Sequence, residues 1–299
     1  MSTHGLALLA LFLAATFWGI APVVMKLALV TIPPFSLQLL RFIFASIFIL
    51  PFFLKTKKDL KADFLKLILF SLLPFLNVTF FILGIGLTTA TASIVIYAAT
   101  PFVVTFLSRL LFKERISLIK TAGVSVGFLG VLLIIFAPGI EHGVSKSGDI
   151  KGNLIISLGL LAFSFYTLLA KPILKKHSPV VTTALFIWLT AFLSLPLSAF
   201  ELVNDSSWLR SLSFKPLLGV FYLASFATIA TFFLYQWAIK HSSPLEASLI
   251  FYFQPVVTYT TAALVLQERL TFLFIIGAVV ALLGVFLTTT LSYLKNTKV

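Results

Sequence analysis

The chain has 299 residues, 60% of them hydrophobic and only 10% charged, with a mean hydropathy of +1.12. Soluble domains carry roughly 25% charged residues, so an ordinary soluble globule is excluded. A net charge of +13 would suggest nucleic acid in a soluble protein, but here Lys and Arg sit at the ends of apolar runs, where lipid headgroups are the expected partners and nucleic acid is not.

Ten apolar spans are predicted in chain order, at about 6–30, 34–54, 64–86, 89–111, 117–137, 152–171, 179–200, 216–239, 243–266 and 270–293. Each is close to the roughly 20 residues that cross a bilayer as a helix. The first, Leu6 to Val30, is too long for a signal-peptide core and lacks a basic start, so it is expected to be a retained span. Pro33-Pro34, Lys55 to Lys61, Lys113-Glu114-Arg115, Pro138 to Lys151, Lys175 to Pro179, Asn204 to Lys215, Lys240 to Pro244 and Glu268-Arg269 separate the spans and leave no room for a soluble domain. The runs are continuously apolar, without the alternation of a barrel strand, so helices are predicted. Without Cys there are no disulfides, thiolate metal sites or thiol redox chemistry. The four His (His4, His142, His177 and His241) fall at span ends, so no midplane metal site or cofactor is expected.

Fifteen of the 22 Lys and Arg fall on the side that holds the N-terminus: Lys55 to Lys66, Arg109, Lys113, Arg115, Lys120, Lys171, Lys175, Lys176, Lys240, Lys295 and Lys298. Lys146, Lys151, Arg210, Lys215 and Arg269 fall opposite, and Lys26 and Arg41 lie within spans. The positive-inside rule then predicts both termini in the cytoplasm of an inner-membrane protein.

The stretch Ser242 to Thr289 lies without a gap on Thr88 to Ile135. Pro255 falls on Pro101, Glu268-Arg269 on Glu114-Arg115, and Gly277 and Gly284 on Gly123 and Gly130. Asn77 meets Thr231 and Phe81 meets Tyr235 in the same register; earlier in the chain Trp18 meets Phe163 and Lys26 meets Lys171. An odd number of spans per repeat reverses the second, so the predicted fold is an all-α integral membrane protein of ten transmembrane helices, as two inverted five-helix repeats over 1–138 and 139–299. A site at the bilayer midplane between them is expected.

With Pro in each fourth helix and Glu-Arg ahead of each glycine-bearing fifth, the chain resembles the EamA-type permeases of the drug/metabolite transporter superfamily. Trp18-Gly19 to Lys26 and Arg41 are similar to that family too, while Phe186 stands in the second half where the first has Arg41. The resemblance implies a carrier of amino acids and other small metabolites, often outward. It also implies a cavity lined by helices one, three and four of each half, with the fifth packed outside.

Candidate site residues follow from chemistry at membrane depth. Proline frees the carbonyl four residues back: that of Trp18 for Pro22, of Tyr97 for Pro101 and of Phe251 for Pro255. These are cavity-lining kinks, or ordinary kinks that help packing. Polar stripes at helical spacing run through Thr89, Ser93, Tyr97 and Thr100, through Asn153, Ser157, Ser164, Thr167 and Lys171, and through Ser225, Thr228 and Tyr235. They either face a cavity or bond back to their own helices. Asn77, in mid-span, is a cavity contact or a helix–helix tie.

Lys26 snorkels or serves function, and Arg41 is expected against a carbonyl or a solute carboxylate. Trp18, Phe81, Tyr97, Tyr235, Tyr252 and Phe253 could stack on a small organic solute, whereas Trp237 reads as an interfacial anchor. Glu114 and Glu268 are expected to tie tight turns. Gly123 to Gly127 spells GxSxG inside a hydrophobic helix, without the strand–turn context of a nucleophile, and its GxxxG spacing predicts helix packing. The absence of mid-membrane Asp or Glu favours facilitated diffusion or exchange over proton coupling.

The predicted function is therefore an alternating-access exporter or facilitative carrier and not an enzyme, with room for a homodimer. A passive channel and, more weakly, an intramembrane enzyme are the alternatives.

Overall fold

The computed structural model describes residues 3–56, 63–112, 118–140, 148–241 and 250–287. Glu114, Arg115 and Glu246, and the side chains of Lys171 and Tyr252, lie outside the described residues. The helices are α1 (Thr3–Leu29), α2 (Pro34–Leu54), α3 (Phe64–Ile85), α4 (Ala90–Tyr97), α5 (Thr100–Phe112), α6 (Leu118–Ile140), α7 (Ile150–Lys176) and α8 (Pro179–Asn204). After a short 3₁₀ turn come α9 (Phe214–Ala224), α10 (Thr231–His241), α11 (Ile250–Val265) and α12 (Phe272–Phe286). No strand occurs among the described residues.

Seven stretches are long and apolar enough to cross a membrane: Gly5–Leu29, Pro34–Leu54, Phe64–Ile85, Ala90–Leu111, Ile150–Lys176, Pro179–Asn204 and Phe214–His241. Thr121–Ala137 and Phe272–Gly284 are shorter apolar helices. Their exposed faces carry Phe, Leu and Ile, as a lipid-facing surface requires.

Local sequence starts the helices where polar residues interrupt apolar runs. The Thr89 hydroxyl accepts from Ala92 N at the start of α4, Asp149 from Lys151 N at α7, Ser178 from Val181 N at α8 and Thr271 from Phe274 N at α12. α2, which opens on Pro33-Pro34, has no such cap of its own. Glu201 at the end of α8 serves instead, accepting from Phe35 N at 3.0 Å and Ser36 N at 2.7 Å.

Two spans differ from the continuous helices expected. The fourth is broken at Ala98-Ala99 into α4 and α5, because Pro101 cannot donate to the carbonyl of Tyr97. The Thr100 hydroxyl bonds that carbonyl at 2.6 Å, so the freed group is satisfied by protein. The eighth contains a wide π-helical turn, Ser225–Ala230, between α9 and α10.

The main packings are α6 with α12, α3 with α7, α2 with α8, and α1 with α10 and α11. The glycines expected at the α6–α12 contact are there: a Cβ on Gly284 would collide with the backbone of Gly127, and one on Gly130 with that of Ala281. At the end of the bundle where α1 starts (the near end), Asp63 lies 3.1 Å from Lys66 Nζ and 3.3 Å from His177 Nε2. The hydrogen bond from Lys66, with a smaller one from His177, holds its carboxyl below the usual aspartate range.

Candidate functional site

A cavity opens in the middle of the bundle, lined from α1 by Trp18, Ala21, Pro22 and Met25, and from α2 by Arg41. Asn77, Val78 and Phe81 of α3, Ile94 and Tyr97 of α4, Phe163 of α7, Phe232 of α10 and Gln254 of α11 complete it. About 70 Å³ is open to the centres of water-sized molecules. A water needs about 10–15 Å³ of such space, so roughly five waters or one small organic solute would fit. Among the described residues, α6, α8 and α12 contribute none to the lining.

Arg41 is buried, 4% exposed, and its partners are dipoles. Its Nε donates to Thr228 Oγ1 at 2.7 Å and its Nη2 to the carbonyl of Ala227 at 3.3 Å. The π-helical turn supplies both acceptors. There the hydroxyls of Thr228 and Thr231 bond carbonyls five residues back, Leu223 and Phe226, and the carbonyl of Ala227 takes the Arg41 donor. That carbonyl also accepts from Trp18 Nε1 at 3.1 Å. Among the described residues Arg41 forms no ion pair. A guanidinium with spare donors on an apolar cavity is suited to grip a carboxylate in a fork.

Asn77 combines both roles expected of it. It lines the cavity, and its Nδ2 donates to the Tyr97 hydroxyl at 2.5 Å and to the carbonyl of Gly159 at 3.1 Å. Gly159 leaves room for that crossing, since a Cβ there would stand 2.6 Å from the Tyr97 hydroxyl and displace it. Phe81 meets Tyr97 edge-on at 5.3 Å between centroids. Trp18 packs on Phe163 (5.8 Å), Phe232 (5.3 Å) and Tyr235 (5.2 Å), so aromatic rings form the cavity wall around it.

Of the expected site residues, Trp18, Arg41, Asn77, Phe81 and Tyr97 line the cavity, Thr228 holds Arg41, and Tyr235 stands behind Trp18. The structure does not bring the others there. Ser93 and Ser164 bond back to the carbonyls of Ala90 (2.7 Å) and Leu160 (2.8 Å), which satisfies a hydroxyl without solute or neighbour. Phe253 packs on Phe12 instead. The Nζ of Lys26 reaches the carbonyls of Thr88 at 2.5 Å and Ile85 at 3.4 Å, outside the cavity lining. Tyr252 lies outside the described side chains.

Sequence reasoning missed Gln254, although an amide directly before Pro255, in register with Thr100 before Pro101, was a usable signal. Phe163 was signalled by its register with Trp18. Met25, Val78, Ile94 and Phe232 carry none in so apolar a chain.

Comparison with known proteins adds the relationship. The EamA-like transporter family matches residues 5–136 and 150–290. An "Uncharacterized transporter" of Archaeoglobus fulgidus is 27% identical over 93% of this chain and 96% of its own. The "Uncharacterized transporter YetK" of Bacillus subtilis is 28% identical over 94% of this chain and 86% of its own. The "Probable amino-acid metabolite efflux pump" of Escherichia coli is 27% identical over 92% of each chain. A crystal structure of a protein 20% identical shares the fold, with a TM-score of 0.67 over 97% of each chain.

Proposed function

The chain belongs to the EamA-like transporter family and is a multi-pass membrane transporter; on that premise we propose that it carries a small organic metabolite bearing a carboxylate, such as an amino acid, by alternating access. The observation that carries this reading is Arg41, a buried cation on a mid-bundle cavity with no carboxylate partner among the described residues. The aromatic walls from Trp18, Phe81, Tyr97 and Phe163 would take the apolar part of the solute. The name of the Escherichia coli relative points in the same direction for substrate and for export.

The membrane reading is ten helices as two inverted repeats, over 1–138 and 139–299, in the inner membrane with both termini in the cytoplasm. The near end of the bundle is then cytoplasmic and the far end, where α1 finishes, is external. Helix contacts support the repeat because they come in answering pairs. α1 on α11 answers α7 on α4 and α5, α1 on α9 and α10 answers α7 on α3, and α2 on α9 answers α8 on α3. The two separate family matches and the Lys and Arg asymmetry support it as well.

Counterflow in proteoliposomes tests the function. Vesicles preloaded with unlabelled amino acids and given labelled ones, without an ion gradient, should accumulate label transiently above equilibrium. Uptake that only equilibrates would make the protein a channel, and no uptake of any carboxylate solute would overturn the substrate class.

A further inference from the structure

We propose that Lys26 and Glu268 form the external gate of this transporter: a two-charge clamp on the α3–α4 turn that shuts the cavity and must release for solute to pass. The proposal rests on the carrier reading above.

The turn spans residues 85–91 and joins the end of one helix to the start of the next. Its carbonyls face Lys26, whose Nζ bonds those of Thr88 and Ile85. Its amides face Glu268, whose carboxylate accepts from Ala90 N at 2.7 Å, Thr91 N at 3.1 Å and Thr91 Oγ1 at 2.9 Å. A cation at a helix C-terminus and an anion at a helix N-terminus each match the local dipole, and the hydrogen bonds are charge-assisted. The two opposite charges also act on each other.

The partners in this clamp belong to different groups of helices. Lys26 lies on α1 and Glu268 just beyond α11, two helices packed together, whereas α3 packs on α7 and α4 lies between α7 and α11. The turn's other side is held within its own group. The carbonyl of Leu87 accepts from Asp149 N at 3.2 Å, and Thr88 bonds Asn153. Gly148, at φ 86°, lies so close that a Cβ would collide with Thr88. The clamp therefore spans the seam between the α3–α4 turn and the α1–α11 pair.

Directly beneath that seam is the cavity. Met25 adjoins Lys26, and Ile94 and Tyr97 lie one and two turns below the clamped end of α4. The lower end of α4 is the break at Ala98-Ala99, so this eight-residue helix is held by the clamp above and hinged below. Backbone strain sits at the same place. Gln267, next to Glu268, has φ 55°, a left-handed conformation that a residue with a Cβ adopts at a cost. Glu201, which caps α2, makes a useful contrast. It joins two helices packed along their length and tied again by Ser36–Ser198 (3.0 Å) and Gln38–Ser194 (2.9 Å), away from the cavity.

The chain has no Cys, so Ile94→Cys supplies a single thiol in the cavity beneath the clamp. In right-side-out vesicles a membrane-impermeant methanethiosulfonate should modify it slowly. Each grip removed shifts the closed–open balance by about tenfold, so adding Glu268→Gln or Lys26→Met should raise the rate about tenfold. Glu201→Gln should not change it. Only variants that run as a single species in size exclusion are compared, and either clamp variant alone suffices if the other does not fold.

An unchanged rate in both clamp variants overturns the proposal, as does an equal rise in Glu201→Gln, which would signify general loosening. A rise only from the face bearing the termini overturns it too. Counterflow in the same vesicles keeps the two readings apart. Faster labelling without counterflow supports the clamp and removes the carrier reading, while counterflow with unchanged labelling does the reverse.

Discussion

Arg41 is the residue whose chemistry and stability should pull in opposite directions. A buried guanidinium held by Thr228 Oγ1, the carbonyl of Ala227 and the face of Phe42 keeps a large desolvation penalty that an apolar side chain would not have. Arg41→Met is therefore expected to stabilise the protein by about 1 kcal/mol, read as a higher melting temperature in detergent. The same change should weaken competition by carboxylate solutes in counterflow by about tenfold or more, the worth of a charged hydrogen bond. A guanidinium kept only for packing would give the reverse pattern, lower stability with unchanged competition. Among single residues, Arg41 and Asn77 were legible as site candidates because water is absent in an apolar span, and both line the cavity, whereas the amide of Gln254 was missed and Lys26 lies outside the lining. Serines were not legible, since a hydroxyl is satisfied equally well by its own helix, as at Ser93 and Ser164.

At the scale of the element, a lost donor or an added residue can interrupt a helix, and here both interruptions serve the site, while α1 and α11 run on through Pro22 and Pro255. The break before Pro101 frees α4 from α5, and the wide turn at Ser225–Ala230 offers the carbonyl of Ala227 to Trp18 and Arg41. Thr100→Val removes the hydroxyl that satisfies the carbonyl of Tyr97. It should cost about 1 kcal/mol of thermal stability and slow transport through Tyr97. Thr105→Val, which deletes a similar back-bond to the carbonyl of Pro101 inside α5, is the control and should leave transport unchanged. Equal effects of the two changes would remove the special role of the break. Proline made the first interruption foreseeable. The second has no sequence mark, because a π-helical turn is held by the bonds its carbonyls make elsewhere.

For the whole molecule, the α6–α12 contact stands apart from the cavity and tests whether packing and site are separable. Gly284 meets the backbone of Gly127, which cannot rotate away as a side chain can. Gly284→Ala should cost about 1–3 kcal/mol by overpacking, while solute preference in counterflow stays the same. A changed preference would mean that this contact shapes the site. The sequence by itself determined the membrane character, the apolar helices and the internal repeat. Apolar length is a local quantity, and Pro, Gly and Glu-Arg are scarce enough in this chain for their register to carry information. Tertiary structure alone decided what each polar group meets. Glu268, expected to tie its own turn, instead caps α4 178 positions earlier, and Lys26 ends on a carbonyl of the same turn. The physical reason is that an unpaired amide or carbonyl in an apolar bundle is satisfied by whichever polar group packing brings within about 3 Å. In helices that are apolar on every face, that packing follows from side-chain shape, which hydrophobic pattern does not encode.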